Sequence, residues 1–151
     1  MEEVKIFRLR DIESHPLAAI HSKEGGFIKR IIYPLNVNTK GLIFGFAEVN
    51  PGYSPHRWDA HIADKAPGFE VTYPKDFEEV YYIISGSGVV QWKTEDGEIK
   101  EEKVSAGDTK FFPIGVSEHQ LFNNSTENII MVYCGSPLLS PKINICSKDT
   151  L

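Results

Sequence analysis

Cysteine, basic excess, long apolar runs and helical periodicity are all scarce in this sequence, and each scarcity excludes a class of protein. The two cysteines, Cys134 and Cys146, are too few for a disulfide framework, and their spacing fits no zinc pattern. Two free thiols in a reducing compartment is a simpler reading than one bridge. Cys134 sits inside an apolar run, where a thiol is usually inert. That run, Ile129 to Cys134, is the longest apolar stretch, far short of the roughly 18 apolar residues of a membrane span. The N-terminus begins Met-Glu-Glu-Val-Lys and lacks the basic start and apolar region of a signal peptide. A cytoplasmic protein with no membrane partner is therefore expected. Sixteen Lys and Arg against twenty-one Asp and Glu give a net charge of −5. Such a balance argues against a nucleic-acid partner, whose binders carry a basic stripe. No Gly-x-Ser-x-Gly elbow occurs, and Gly86-Ser87-Gly88 has too few glycines and no following helix to be a phosphate loop.

What is present is one domain's worth of chain, 151 residues, with 41% hydrophobic and 25% charged residues, an ordinary globular composition. Twelve glycines and nine prolines punctuate it at short intervals. Between them lie brief β-branched and aromatic runs at 28–33, 42–49, 80–84, 89–93, 109–112 and 129–134. Turn sequences separate these runs: Ser85-Gly86-Ser87-Gly88, Asp96-Gly97, Ala106-Gly107-Asp108 and Asn123-Asn124-Ser125. Asp-Gly between two such runs is a hairpin signal, because both residues tolerate positive φ. Residues 9–22 offer only a weak helical turn, interrupted by Pro16. The pattern predicts an all-β barrel or sandwich of two packed antiparallel sheets. Its core spans about 41–134, with N-terminal strands in 1–40 and a tail over 135–151. One segment, Asp59 to Phe77, lacks strand character and is long for a loop. Loops of that length are usually binding loops or lids.

Five histidines are available: His15, His21, His56, His61 and His119. His15 and His21 have no other ligand types nearby and read as surface residues. His56, Glu79 and His119 lie beside glycine- and proline-bounded strand ends. The second half of the chain runs Gly107-x5-Pro113-x-Gly115-x3-His119-x3-Asn123, and the first half contains Glu79-x6-Gly86. In these residues the chain resembles the cupin family. That family carries Gly-x5-His-x-His-x3-4-Glu-x6-Gly and Gly-x5-Pro-x-Gly-x2-His-x3-Asn on a small β-barrel. Gly115 to His119 carries one extra residue. The first motif departs more: only three residues separate Gly52 from His56, Trp58 stands at the second histidine's place, and about fifteen extra residues precede Glu79.

The resemblance implies a jelly-roll barrel with a divalent metal ion held by His56, Glu79 and His119. Two imidazoles and a carboxylate suit Fe(II), and Mn, Zn or Ni are compatible with the same donors. On a regular strand His56 and Trp58 would share one face. His61 is either a further ligand, reached through a bulge at Asp59-Ala60, or a substrate contact or acid/base on the long loop. Glu78 is the alternative carboxylate. Tyr81 points inward with Glu79 by alternation. Arg57, Trp58, Tyr81, Tyr133 and Phe111 are candidate pocket residues, with Arg57 suited to an anionic substrate. The function implied is a metal-dependent enzyme on a small polar molecule, of isomerase, dioxygenase or lyase/decarboxylase type. The broken His-x-His pair favours a non-catalytic small-ligand-binding or sensor barrel instead. Single-domain members of the family commonly pair, so a homodimer is expected.

Overall fold

The computed structural model describes residues 3–17, 23–33, 36–39, 41–56, 58, 63–66, 69–72, 77–116 and 118–136. Eleven strands occur among them: β1 (His15–Pro16), β2 (Gly26–Ile32), β3 (Ile43–Val49), β4 (Ala63–Ala66), β5 (Phe69–Thr72), β6 (Glu78–Ser85), β7 (Ser87–Lys93), β8 (Ile99–Ser105), β9 (Thr109–Phe112), β10 (His119–Phe122) and β11 (Ile129–Ser136). The weak helical segment contributes one short 3₁₀ turn, Leu9–Asp11. Among the described residues no helix is long and apolar enough to cross a membrane. The six runs read as strands all lie on strands.

The strands form a six-stranded sheet in the order β1-β2-β3-β11-β6-β9 and a three-stranded sheet in the order β10-β7-β8. A separate hairpin pairs β4 with β5. Every pairing is antiparallel. The chain changes sheet between β6 and β7, at Gly86. There φ is +85° and a Cβ would overlap the Asn128 carbonyl, so the corner requires glycine. The turn after β8 docks back on β6, with Gly107 N–H donating to Ile83 O and Ile83 N–H donating to Asp108 O, at 2.8 and 3.0 Å. Strand alternation then sorts the side chains. Ile43, Ala47 and Val49 of β3, Tyr81 and Ile83 of β6, and Met131 and Tyr133 of β11 are buried in one core with Val90, Val104 and Leu121 of the second sheet.

Asn123, the last residue of the second motif, is fully buried and ties this layer together. Its side-chain amide donates to Val49 O at 2.9 Å and Glu127 O at 2.8 Å. Its carbonyl oxygen accepts from Ser125 N–H and Ser125 Oγ. The Asn-Asn-Ser turn is thus satisfied internally, as a buried amide must be.

Two expectations are corrected. The 59–77 insertion carries the β4–β5 hairpin rather than lacking strands. Pro67-Gly68 stands between these two strands in sequence, and their low hydrophobicity hides them from a pattern search. His15 is not a surface residue: it pairs with Ile28, and its side chain is 21% exposed. The neighbouring Leu17 is fully buried and brings the segment onto the sheet. A further strand, β8, escapes sequence reading because six of its seven residues are exposed and it shows no apolar alternation. It is held at a sheet edge by pairing with β7 and by Gln91 donating to Glu101 at 3.0 Å. His21, Arg57, His61, Cys146 and the tail from residue 137 lie outside the described residues.

Replacing Asn123 with alanine removes two buried donors and leaves two carbonyls short of partners. Asn123→Ala is expected to lower unfolding stability by about 1–3 kcal/mol in urea titration. No loss would show that the turn does not depend on this side chain.

Candidate metal centre

Four side chains converge inside the barrel from different elements. Glu79 and Tyr81 stand two apart on β6 and so share its inner face. Both are buried, and Glu78 on the opposite face is not. The motif carboxylate is therefore Glu79, with Glu78 excluded by parity. His119 opens β10 and is fully buried. His56 comes from the bends after β3, not from a strand. Its segment is held beside β10 by Gly52 N–H donating to Asn123 O at 2.7 Å and Asn123 N–H donating to Tyr53 O at 2.9 Å. Because the chain turns here, no strand parity joins His56 to Trp58. Trp58 is half-buried, and its indole offers only an N–H donor and no ligating lone pair.

The ligating atoms of His56, Glu79 and His119 all lie within 4.8 Å of one another. His119 Nε2 is 3.4 Å from Glu79 Oε2. The two imidazole rings stand nearly perpendicular, centroids 5.1 Å apart. The Tyr81 hydroxyl reaches His56 Nε2 at 2.7 Å and His119 Nε2 at 3.5 Å. Burial first and the Glu79 carboxylate second push the Tyr81 phenol well above its ordinary range.

On its far side, His119 Nδ1 lies 3.3 Å from Val116 O. A carbonyl oxygen only accepts, so Nδ1–H donates there, and Nε2 faces Glu79 and the Tyr81 hydroxyl. The Val116 carbonyl is the kind of outer partner that orients metal-ligating imidazoles.

The pocket wall differs from expectation at one residue. Phe111 is 52% exposed on the outer face and does not line the site. Its neighbour Phe112 does, because Phe112 pairs with Glu79 across β6 and β9 and shares its inward face. The Phe112 ring stacks on His119 with centroids 3.6 Å apart and planes within 8°. It also meets Tyr81 edge-on at 5.1 Å. The signal was present in the motif: Phe112 immediately precedes Pro113, but without the β6–β9 register its face was ambiguous. Tyr133 lies opposite Tyr81, and its hydroxyl is 3.0 Å from that of Tyr33. Cys134 is half-buried, and burial followed by Glu79 raises its thiol, in keeping with an inert cysteine.

No protein-family model matches the chain, and no curated protein sequence does. Solved structures do. The chain is similar to a Cupin 2 conserved barrel domain protein from Salinispora arenicola CNS-205, at 16% identity and a TM-score of 0.56, over 92% of this chain and 93% of that one. The chain has the cupin fold. An uncharacterized conserved protein with a double-stranded β-helix domain from Klebsiella pneumoniae gives 16% identity and a TM-score of 0.56, over 93% and 97% of the two chains. Oxalate decarboxylase from Bacillus subtilis, which has Mn(II) centres, gives 18% identity and a TM-score of 0.61, over 91% of this chain but 31% of that enzyme's. At such identities the likeness carries the cupin architecture, and the chemistry has to come from the site.

Phe112 packs against His119 from one sheet to the other and is 2% exposed. Phe112→Ala is expected to cost about 3–5 kcal/mol in denaturant unfolding. A loss under about 1 kcal/mol would mean that the ring does not join the two sheets.

Proposed function

We propose that this cupin barrel binds one divalent metal ion through His56, Glu79 and His119 and acts as a metal-dependent enzyme on a small polar molecule. The observation that carries the proposal is the convergence of His56, Glu79 and His119, whose ligating atoms all lie within 4.8 Å of one another, with Glu79 and His119 buried. Two nitrogens and one carboxylate suit Mn, Fe, Zn or Ni. The Mn(II) centres of the oxalate decarboxylase neighbour favour manganese first. When bound, such an ion acts as a Lewis acid that polarises a substrate oxygen. The chain's own residues do the rest. Val116 O orients the His119 ring, Phe112 fixes its plane, and the apolar wall excludes water, which strengthens every charge interaction within. His56, the half-buried member of the set, marks the side from which a substrate enters. The class of reaction is a lyase/decarboxylase, dioxygenase or isomerase. A small anion is the favoured substrate, with Arg57 next to His56 in sequence as its partner.

Elemental analysis of protein purified without added metal tests this reading. About one ion per chain is expected in the wild type, with loss in His56→Ala, Glu79→Gln and His119→Ala. His61→Ala is expected to keep its ion, and loss there would make His61 a ligand. A metal-free wild type whose barrel still binds a small molecule would replace the enzyme with the ligand-binding or sensor reading that the Trp58 position favours.

The homodimer belongs to the same proposal. Tyr82 and Ile84 stand 44% and 47% exposed on the outer face of the six-stranded sheet, beside the half-buried Val132 and Ile130. A second copy covering this face would bury them. Light scattering is expected to give twice the 17.0 kDa chain mass, falling to one in Tyr82→Glu/Ile84→Glu. A wild type that is already monomeric at high concentration removes the dimer.

A further inference from the structure

Trp58 leaves the first motif without its second imidazole, so a three-residue ligand set has one protein position fewer than the motif provides. The structure places another oxygen there. The Tyr81 hydroxyl lies 2.7 Å from His56 Nε2 and 3.5 Å from His119 Nε2, while His119 Nε2 lies 3.4 Å from Glu79 Oε2. Metal–nitrogen and metal–oxygen bonds of about 2.0–2.2 Å set neighbouring ligand atoms about 2.9–3.5 Å apart, between octahedral and tetrahedral edges. The three separations straddle that range. Tyr81 therefore stands where a ligand atom stands, not where a wall residue stands.

We infer that Tyr81 is the fourth protein ligand of the metal proposed above, its phenolate oxygen replacing the imidazole that Trp58 cannot supply. The inference rests on the metal-binding reading. Its position is fixed from all sides. Glu79 and Tyr81 occupy adjacent inward positions of one strand, so one rigid backbone segment delivers two oxygen donors. Phe112 meets the Tyr81 ring edge-on, and Tyr133 stands across the strand pair. When the ion enters, the metal–oxygen bond forms as the hydroxyl proton leaves to water. Two anionic oxygens and two imidazoles then surround the ion. Hard oxygen donors of this kind favour iron or manganese over softer metals, and a trivalent ion would retain a single net positive charge to hold an anionic substrate.

Iron(III) is the probe, because a phenolate bound to it gives a visible charge-transfer band and tyrosinate vibrations in resonance Raman spectra. Purified wild-type protein loaded with ferrous iron and oxidised in air is expected to be coloured and to show both signals. Tyr81→Phe keeps the ring and its packing. It is expected to bind iron at least about tenfold more weakly, the lower bound set by losing an outer partner of a ligand, and to show neither signal. Wild-type protein that binds one iron per chain but shows no tyrosinate vibrations overturns the inference while leaving the metal reading intact. So does a Tyr81→Phe protein that keeps the band. The Raman measurement needs no variant, so a misfolded Tyr81→Phe does not rescue the idea. Wild-type protein that takes up none of Mn, Fe, Zn or Ni overturns the metal reading, and this inference with it.

Discussion

The meeting of His119 and Glu79 in the barrel interior is the constraint around which the rest of this barrel is arranged. An imidazole with no solvent exposure and a carboxylate with almost none stand 3.4 Å apart, in a setting where unpaired charge is expensive. Apolar packing alone would not retain such a pair. Each side is held in place. Val116 O accepts a hydrogen bond from His119 Nδ1, Phe112 lies flat on its ring, and β6 presents Glu79 and Tyr81 together. The net effect is two imidazoles and a carboxylate gathered at one point, an arrangement that suits a cation.

The jelly-roll topology is what makes the meeting possible. Glu79 and Tyr81 belong to the six-stranded sheet and His119 to the three-stranded one, so the site bridges the two layers of the sandwich. Phe112, from an edge strand of the first sheet, reaches across to His119 in the second. The positive-φ corner at Gly86 sends the chain from one layer to the other directly after β6, and Asn123 pins the far end of β10 to β3 and to the following turn. The polar centre is therefore supported by the same residues that close the barrel, and stability and site geometry are coupled.

Much of this was legible in the residues themselves. The glycine-bounded aromatic runs announced short strands, and the spacings Glu79-x6-Gly86 and Gly107-x5-Pro113 announced which barrel they build. Alternation put Tyr81 on the face of Glu79, and the motif spacing favoured Glu79 over Glu78. Other features were hidden for identifiable reasons. β8 carries four charged residues and is exposed at six of its seven positions, so no apolar period marks it. The β4–β5 hairpin is short and interrupted by Pro67-Gly68 in sequence. Phe111 and Phe112 are adjacent and chemically identical, and only the pairing of Glu79 with Phe112 decides which of them faces inward. His56 sits on bends, where a period of two has no meaning.

By itself the sequence determined the class of fold and the turn positions, because those depend on local periodicity and on glycine or proline at fixed offsets, and its resemblance to the cupin motifs singled out His56, Glu79 and His119 as candidates. Only the tertiary structure decided that His119 Nε2 faces Glu79, that Phe112 rather than Phe111 is the wall, and that the Tyr81 hydroxyl stands between two imidazoles. Each of these is a relation between strands far apart in the chain. Local propensity cannot carry such relations, and cross-strand register and sheet-on-sheet packing supply them.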